Sequence, residues 1–590
     1  MRIAFNPARE LEQLVRRVAP GTPGLGGEFN PEIKPADPRN GDYQANGVLA
    51  HAKAAKANPR ALAVALLDAL KADAEFDAAH ISAEIAGPGF INFKLTPAYY
   101  AAWLARYGDE ASLRSGAASI YNGKKVVIDY PSPNTAKQMH VGHLRPMVVG
   151  EAVARLLEFC GANLTRDNHI GDWGTNFGTL ILEIKHTGYT LDPANDNALE
   201  ELENLYKSGS ARIKANPSDA DASRAELVKL QNGDAENLAL WEKIVAVSNA
   251  ACERQYTRLG VKPDVTLGES FYRDKVDRVY AELTDTGLAE MSEGALVVWH
   301  DEVPRWNRDG GTPFLIRKKD GASNYASTDL ATVLYRKEHF KADECVIVTD
   351  GRQQEHFAQL FLTSKKWFEK TGRELPSLRH VWFGTILGED GKAIKTKSGD
   401  PIRLKQLLDE SEERAFAIVS EKSAHLPESE RRAIAATVGI AAIRYADLVQ
   451  NRTLDYTFSW DKLLAFEGNS APYLLLAVAR IRSIFRKLDI QPGEGETGAT
   501  APETPQELSL ARKLVNFSGA VDAACADLLP HILCTYLYEL AGEFSSFYAA
   551  DKVAVDDPAV RARRLRLCAR TCATLEAGLR LLCITPLERM

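Results

Sequence analysis

A chain of 590 residues exceeds what one hydrophobic core supports and divides into about three or four domains. Its apolar fraction of 45% and charged fraction of 26% are those of an ordinary globular protein, and no uncharged apolar run is long enough to span a bilayer. A net charge of −7 argues against nonspecific polyanion binding over the whole surface, and eight cysteines with no CxxC pair suit a reducing compartment.

The opening Met1-Arg-Ile-Ala-Phe-Asn-Pro lacks the pattern of a signal peptide. Residues 1–110 read as a separate α/β module, with an Ala-rich helix from Asn58 to Ala72 and a strand at Gly89-Phe-Ile-Asn-Phe-Lys-Leu95 that Thr96-Pro97 ends. Over 111–455, strand-like runs at Lys125–Tyr130, Leu164–Asn168, Glu344–Thr349 and His380–Thr385 alternate with helical ones, the pattern of a parallel sheet with crossover helices. A polar helical segment at about 190–262 interrupts that pattern and reads as an insertion with a solvated charged face. Past Arg431 strand signals fade, and Ile443, Leu448, Leu474, Val478, Ile481 and Ile484 recur at helical spacing, so 456–590 reads as all-α. Gln491–Pro505 has almost nothing to bury and reads as a mobile loop. Near the end Arg561, Arg563, Arg564, Arg566 and Arg570 crowd one helix, facing either phosphates or water, while Cys568 and Cys572 read as core filler.

Two segments fit phosphate chemistry, although each taken alone also reads blandly, the first as a coincidental histidine pair and the second as a solvated lysine-rich turn. Ser132-Pro-Asn-Thr-Ala-Lys-Gln-Met-His140-Val-Gly-His143 joins the strand at Lys125 to a helix in which Leu144, Val148, Ala152, Leu156 and Cys160 recur every four residues. A helix start there offers unpaired backbone N–H groups and a positive dipole end to a phosphate, and Gly142 lets a ligand approach the backbone. His140 and His143 share a face and can donate to phosphate oxygens as negative charge builds. The second segment, Gly388-Glu-Asp-Gly-Lys392-Ala-Ile-Lys395-Thr-Lys397-Ser-Gly399, joins glycines to lysines suited to neutralise a departing pyrophosphate.

His140-Val-Gly-His143 and Lys395-Thr-Lys-Ser-Gly399 resemble the HIGH and KMSKS signatures of class I aminoacyl-tRNA synthetases. Together with Asn168-His-Ile-Gly-Asp-Trp-Gly-Thr-Asn-Phe-Gly178, Tyr325-Ala-Ser-Thr-Asp-Leu-Ala331, Phe466-Glu-Gly-Asn-Ser-Ala-Pro-Tyr473 and Phe544-Ser-Ser-Phe-Tyr548, they make nearly the whole chain resemble the arginyl-tRNA synthetase family. The resemblance implies a Rossmann-type parallel-sheet catalytic domain between an N-terminal tRNA-binding module and an all-α anticodon-binding bundle. It implies ATP-dependent ligation of L-arginine to its tRNA through an arginyl-adenylate, with AMP and pyrophosphate released. ATP would enter as its Mg2+ complex, with no tightly held protein-ligated metal, in a cytoplasmic monomer that activates arginine only once tRNA is bound.

Residue by residue, the resemblance assigns Ser132, Asn134, His143, Tyr325, Asp329 and Gln353 to arginine, with Asp129 and Glu269 as further acids. It assigns His140, Gly142, His143 and Lys395 to ATP. A guanidinium stays protonated and offers donors in a fixed fork, and Tyr325 and Asp329, four apart, fall on one helical face. Lys397 arrives one place early for KMSKS. The family is thought to compensate through a lysine just before HIGH, and Lys137 holds that position here, so transition-state charge is expected from Lys137, Lys395 and Lys397. Tyr536, Tyr538 and Tyr548 are equally placed to stack on anticodon bases or to fill the core. Three other readings stand beside this one: a different class I synthetase, a nucleotidylyltransferase, for which the chain is too long, and a tRNA-binding paralogue that has lost catalysis.

Overall fold

The computed structural model describes residues 3–26, 28–37, 39–392, 394 and 401–590. At the N-terminus β1 (Ile33–Pro35), β2 (Tyr43–Ala45), β3 (Ile81–Ala86) and β4 (Phe90–Leu95) form an antiparallel sheet in the order β1-β2-β4-β3. The Ala-rich helix runs Pro59–Lys71. Asn58 caps it by accepting from the N–H groups of Arg60 and Ala61, Pro59 supplies a preset first turn, and Leu62, Leu66 and Leu70 bury one face.

The central sheet holds β5 (Lys125–Asp129), β6 (Asn163–Asn168), β7 (Val265–Thr266), β11 (Glu344–Ile347) and β12 (Ser377–His380), all parallel, in the order β12-β11-β5-β6-β7. Val126, Val127 and Ile128 are buried on both faces, which is why the middle strand reads as an unbroken apolar run. Strand order reverses between β5 and β11, and in such sheets ligands bind outside the carboxyl ends of the strands at that point. The helix Leu144–Phe159 leaves the end of β5 and is buried almost all round, with the sheet on one side and C-terminal helices on the other.

Four expectations change. The last sheet strand is Ser377–His380, not His380–Thr385: β12 pairs only with β11, so an edge strand tolerates Ser377 and Arg379, while Val381 and Phe383 stay buried after leaving the sheet. Between β7 and β11 a separate antiparallel sheet, ordered β10-β9-β8, interrupts the alternation: β8 (Ala289–Ser292), β9 (Ala295–Val298) and β10 (Phe314–Arg317). Of the five arginines expected on helix Pro558–Leu581, Arg561 faces water and the other four face carboxylates. Arg563 and Arg564 pair with Glu507, Arg564 also with Asp551, and Arg566 and Arg570 with Glu496. Glu496 lies within Gln491–Pro505, so that loop is tied to the helix instead of lying loose.

The insertion comprises helices Ala198–Ala215, Pro217–Gln231 and Ala235–Arg258, packed through Leu199, Leu202, Leu230, Ile244 and Val247. Short strands β13 (Ile386–Leu387) and β14 (Tyr456–Thr457) pair in parallel before the C-terminal helices Ala471–Lys487, Pro505–Val515, Phe517–Asp527, His531–Ala550 and Pro558–Leu581. Tyr536 is a core residue whose hydroxyl donates to Lys513 O at 2.8 Å, whereas Tyr538 and Tyr548 are exposed. Cys568 and Cys572 are buried core residues, and all eight thiols are free. Among the described residues no helix is long and apolar enough to cross a membrane.

Candidate active site

The chain leaves β5 through a turn that two non-glycine residues make in the left-handed region, Ser132 at φ 52° and Ala136 at φ 59°. Such a backbone persists only where its surroundings hold it. Ser132 N donates to Asn168 Oδ1 at 3.1 Å, Ser132 Oγ to Asp129 Oδ1 at 2.7 Å, and Ala136 N to Ser248 Oγ at 2.9 Å. The turn is stitched to the loop after β6: Gly171 N donates to Pro133 O, and Thr135 donates to Gly171 O through both N and Oγ1. A Cβ on Gly171 would lie 2.2 Å from Asn134 Oδ1, so the glycine makes room for the Asn134 side chain, which stands exposed on the rim.

The two histidines close a 3-10 turn, Val141–His143, that precedes the helix. Gly142 N donates to His140 Nδ1 at 3.0 Å, and His140 N donates to His143 Nδ1 at 3.2 Å. Each Nδ1 therefore accepts, and each neutral ring carries its proton on Nε2. Burial, aided by Lys137, holds His140 below the usual histidine range, and burial together with His140 takes His143 down to about 4. At neutral pH both are uncharged Nε2–H donors. Gly142 has a further reason here, since a Cβ would come within 2.8 Å of His140 Cε1.

Across the crevice the acids differ. Asp129 is already spoken for: Arg336, buried with it, ion-pairs at 2.6 Å and also reaches Asp167 at 2.7 Å. Burial pushes the Asp129 carboxyl up, but Arg336, His169 and the Ser132 hydroxyl hold it below its ordinary value; burial leaves Asp167 raised. Asp129, expected as a further acid for a cationic substrate, is thus engaged within the protein, Oδ2 by Arg336 and Oδ1 by Ser132. Tyr325, Asp329 and Glu269 are gathered as one group. Tyr325 and Asp329 open the helix Tyr325–Glu338, and Glu269 starts a short helix after β7, its N–H bonded to Ile170 O at 3.0 Å. Tyr325 is 70% exposed. Glu269 and Asp329 both hold its phenol above the usual range, along with partial burial. Burial, then Asp329 and Asp172, push Glu269 up to about 7, with His169 pulling the other way. His169 N in turn donates to Ser132 Oγ at 3.2 Å, which joins this group to the turn after β5. Gln353 ends the exposed 3-10 turn Gly351–Gln353 beyond the carboxyl end of β11.

Lys395 and Lys397 lie outside the described residues. Their neighbours meet the histidine turn directly: Val141 N donates to Ile402 O and Leu404 N to Met139 O, both at 2.9 Å. Lys137 is exposed on the turn itself. Sequence reasoning singled out neither Arg336 nor His356, whose Nε2 lies 2.6 Å from Asp329 Oδ2. Arg336 carries no local signal; His356 had a weak one, standing three residues after Gln353 at the start of a helix. Among the described residues no cluster of three or more His, Cys, Asp or Glu is arranged to hold a metal ion.

Three family models match in succession: the arginyl tRNA synthetase N-terminal domain over 9–95, the class I (R) tRNA synthetase catalytic domain over 111–460 and the DALR anticodon binding domain over 474–590. An arginine–tRNA ligase of Laribacter hongkongensis is 44% identical over 586 residues, covering 97% of each chain, and one of Chromobacterium violaceum is 43% identical over 578 residues at the same coverage. The crystal structure of the Plasmodium falciparum arginyl-tRNA synthetase superposes with a TM-score of 0.81 at 25% identity, covering 100% of both chains. The Thermus thermophilus arginyl-tRNA synthetase shares the fold at a TM-score of 0.80, covering 99% of this chain and 100% of its own. The chain belongs to the arginyl-tRNA synthetase family of class I aminoacyl-tRNA synthetases.

Proposed function

We propose that the chain is an arginine–tRNA ligase. The observation that carries this reading is the group Tyr325, Asp329 and Glu269, together with two neutral histidines whose Nε2–H donors are fixed by backbone bonds. Acids suit a guanidinium, and neutral donors suit phosphate oxygens without trapping them. Asn134, His143, Tyr325, Asp329, Gln353 and Glu269 hold arginine, while Ser132 fixes the turn and Asp129 acts through Arg336 without touching substrate. His140, His143 and the backbone beside Gly142 face ATP, which enters with Mg2+, and Lys137, Lys395 and Lys397 supply charge.

The substrate carboxylate attacks the α-phosphorus, the bond to pyrophosphate breaks, and arginyl-adenylate forms. A terminal ribose hydroxyl of the tRNA then takes the arginyl group and AMP leaves. No side-chain nucleophile is needed, so catalysis is positioning and charge stabilisation. The parallel sheet houses this chemistry, with the N-terminal module and the helical C-terminus as the tRNA-binding parts. We place the chain in the cytoplasm as a monomer, in keeping with eight free thiols. The test is attachment of labelled arginine, dependent on ATP and tRNA, with lysine and cysteine as controls: arginine alone is charged, and equal charging of another amino acid or none at all overturns the reading.

A further inference from the structure

Asp129, at the carboxyl end of β5, and Asp329, in the helix Tyr325–Glu338, meet different fates. The buried guanidinium of Arg336 cancels Asp129, whereas the only hydrogen-bond partner of Asp329 among the described residues is His356, at 2.6 Å. His356 lies in the first turn of the helix Gln354–Lys370, which leaves the end of β11. Its ring packs against Phe314 of β10 and Phe357 at centroid separations of 5.6 and 5.1 Å. Phe357 packs in turn on His380 at 4.5 Å, and His380 Nε2 is bonded to Thr349 Oγ1 at 2.7 Å. A chain of ring contacts running back to the end of β11 therefore sets where His356 Nε2 points.

We infer that His356 is a positioning residue for Asp329, holding Oδ2 through one N–H and leaving the other oxygen to a guanidinium, and so sets the preference for arginine. The inference rests on the arginine-ligase reading above. An imidazole can orient a carboxylate through a single donor, whereas a guanidinium in its place would bring the fixed charge that silences Asp129. A guanidinium N–H needs that remaining oxygen in a set place, and a carboxylate ordered in advance loses less freedom when substrate arrives.

The full-length protein and its H356L, H356Q and H356N variants are compared in tRNA charging, with KM and kcat for arginine, KM for ATP, and inhibition by citrulline, the uncharged isostere, as readouts. H356L is expected to raise the arginine KM about tenfold, the loss of one hydrogen bond to a charged group. Its kcat should stay within about threefold, its ATP KM should not move, and citrulline should compete better relative to arginine. H356Q, whose amide nitrogen reaches near the place of Nε2, should recover most of the loss. H356N is too short to reach Asp329 and should behave as H356L does, which preserves the test if H356L does not fold. An unchanged arginine KM in H356L and H356N, or an H356Q as impaired as H356L, overturns the proposal while the ligase reading stands. A wild-type protein that charges no arginine in the same assay overturns the ligase reading and this proposal with it.

Discussion

Lys137 sits on the turn that carries both histidines, and its charge is felt by both, adding to the burial that lowers them. In the role proposed for Lys137, losing its charge costs about 3 kcal/mol of transition-state stabilisation, so K137A should lower kcat for charging about a hundredfold, with a small change in arginine KM. Near-normal turnover of K137A would remove it from the mechanism. Glu269 makes a pH-dependent claim. Its carboxyl, at about 7 in the free protein, faces Asp329, Asp172, His169 and Tyr325, and in the arginine site proposed above it must ionise to attract a guanidinium. The arginine KM should therefore fall as pH rises from about 6 to 8, with a proton released on binding, and E269Q should flatten that profile. Linkage runs the opposite way for stability. A raised carboxyl holds its proton more tightly in the folded chain, so this residue's contribution declines as pH rises from its ordinary 4.5 through about 7. A wild-type arginine KM that is flat across this range would show that Glu269 lies away from the substrate.

Helix Pro558–Leu581 shows how an element's charge is misread when its partners are distant in sequence. Glu507 is fully buried beneath Arg563 and Arg564, and it also closes the capping box begun by Thr504. Burial pushes its carboxyl up, but backbone N–H groups of Glu503 and Thr504 and the two arginines hold it below its ordinary value. E507A would leave two nearly buried arginines with Glu503, Thr500, Asp551 and the Lys552 carbonyl as their partners among the described residues, costing about 3 kcal/mol and lowering the melting temperature. Because the group is depressed, its stabilisation is present above the ordinary carboxylate value and is lost as pH falls through the lowered one, so the gap between wild type and E507A should close in acid. A melting temperature unmoved by E507A at neutral pH would make the cluster ornamental. Elements whose physics is local were legible in the sequence: Val126–Ile128 as a strand buried on both faces, Asn58 and Pro59 as a helix start, and the histidine turn at the end of β5. What escaped depends on residues far apart in the chain. Asp129 meets Arg336 across 207 positions, His356 meets Asp329 across 27, and Arg570 meets Glu496 across 74, and neither composition nor period encodes such pairs. β12 escaped for a related reason, since only its place at the sheet edge makes a polar strand tolerable.

At the scale of the molecule, helices Pro505–Val515 and Phe517–Asp527 join the parts. Their catalytic-side anchor is a pair of arginines at a helix end: Arg379 donates to Ala526 O at 2.8 Å, and Arg452 donates to Leu528 O at 3.1 Å and to Trp382 O at 2.5 Å. Cations suit the carbonyl end of a helix, and Leu528 closes that end in the left-handed region at φ 53°. On their other side the same two helices carry the N-terminal module. Asp42, buried, accepts from Leu95 N at 2.7 Å, Tyr100 Oη at 2.9 Å and Arg512 Nε at 2.5 Å, while Tyr43 Oη donates to Asn516 Oδ1 at 3.1 Å and Phe5 packs edge-on against Phe517. The module is therefore docked on the helical bundle, and Asp42 is the charged centre of that joint. D42A removes the acceptor for three donors and leaves Arg512 part-buried beside Tyr100, a loss of about 2–3 kcal/mol once the partial exposure of Arg512 is discounted. A chain of several domains need not melt in one step, so calorimetry should show the earliest transition moving down while the rest holds. If both ends of the chain grip one tRNA, loosening this joint should raise the KM for tRNA several-fold while the arginine and ATP KM values stay put, because the joint touches neither the histidine turn nor the acid group. A D42A protein that melts lower yet keeps its tRNA KM would separate docking from recognition and leave the N-terminal module a stabilising part only.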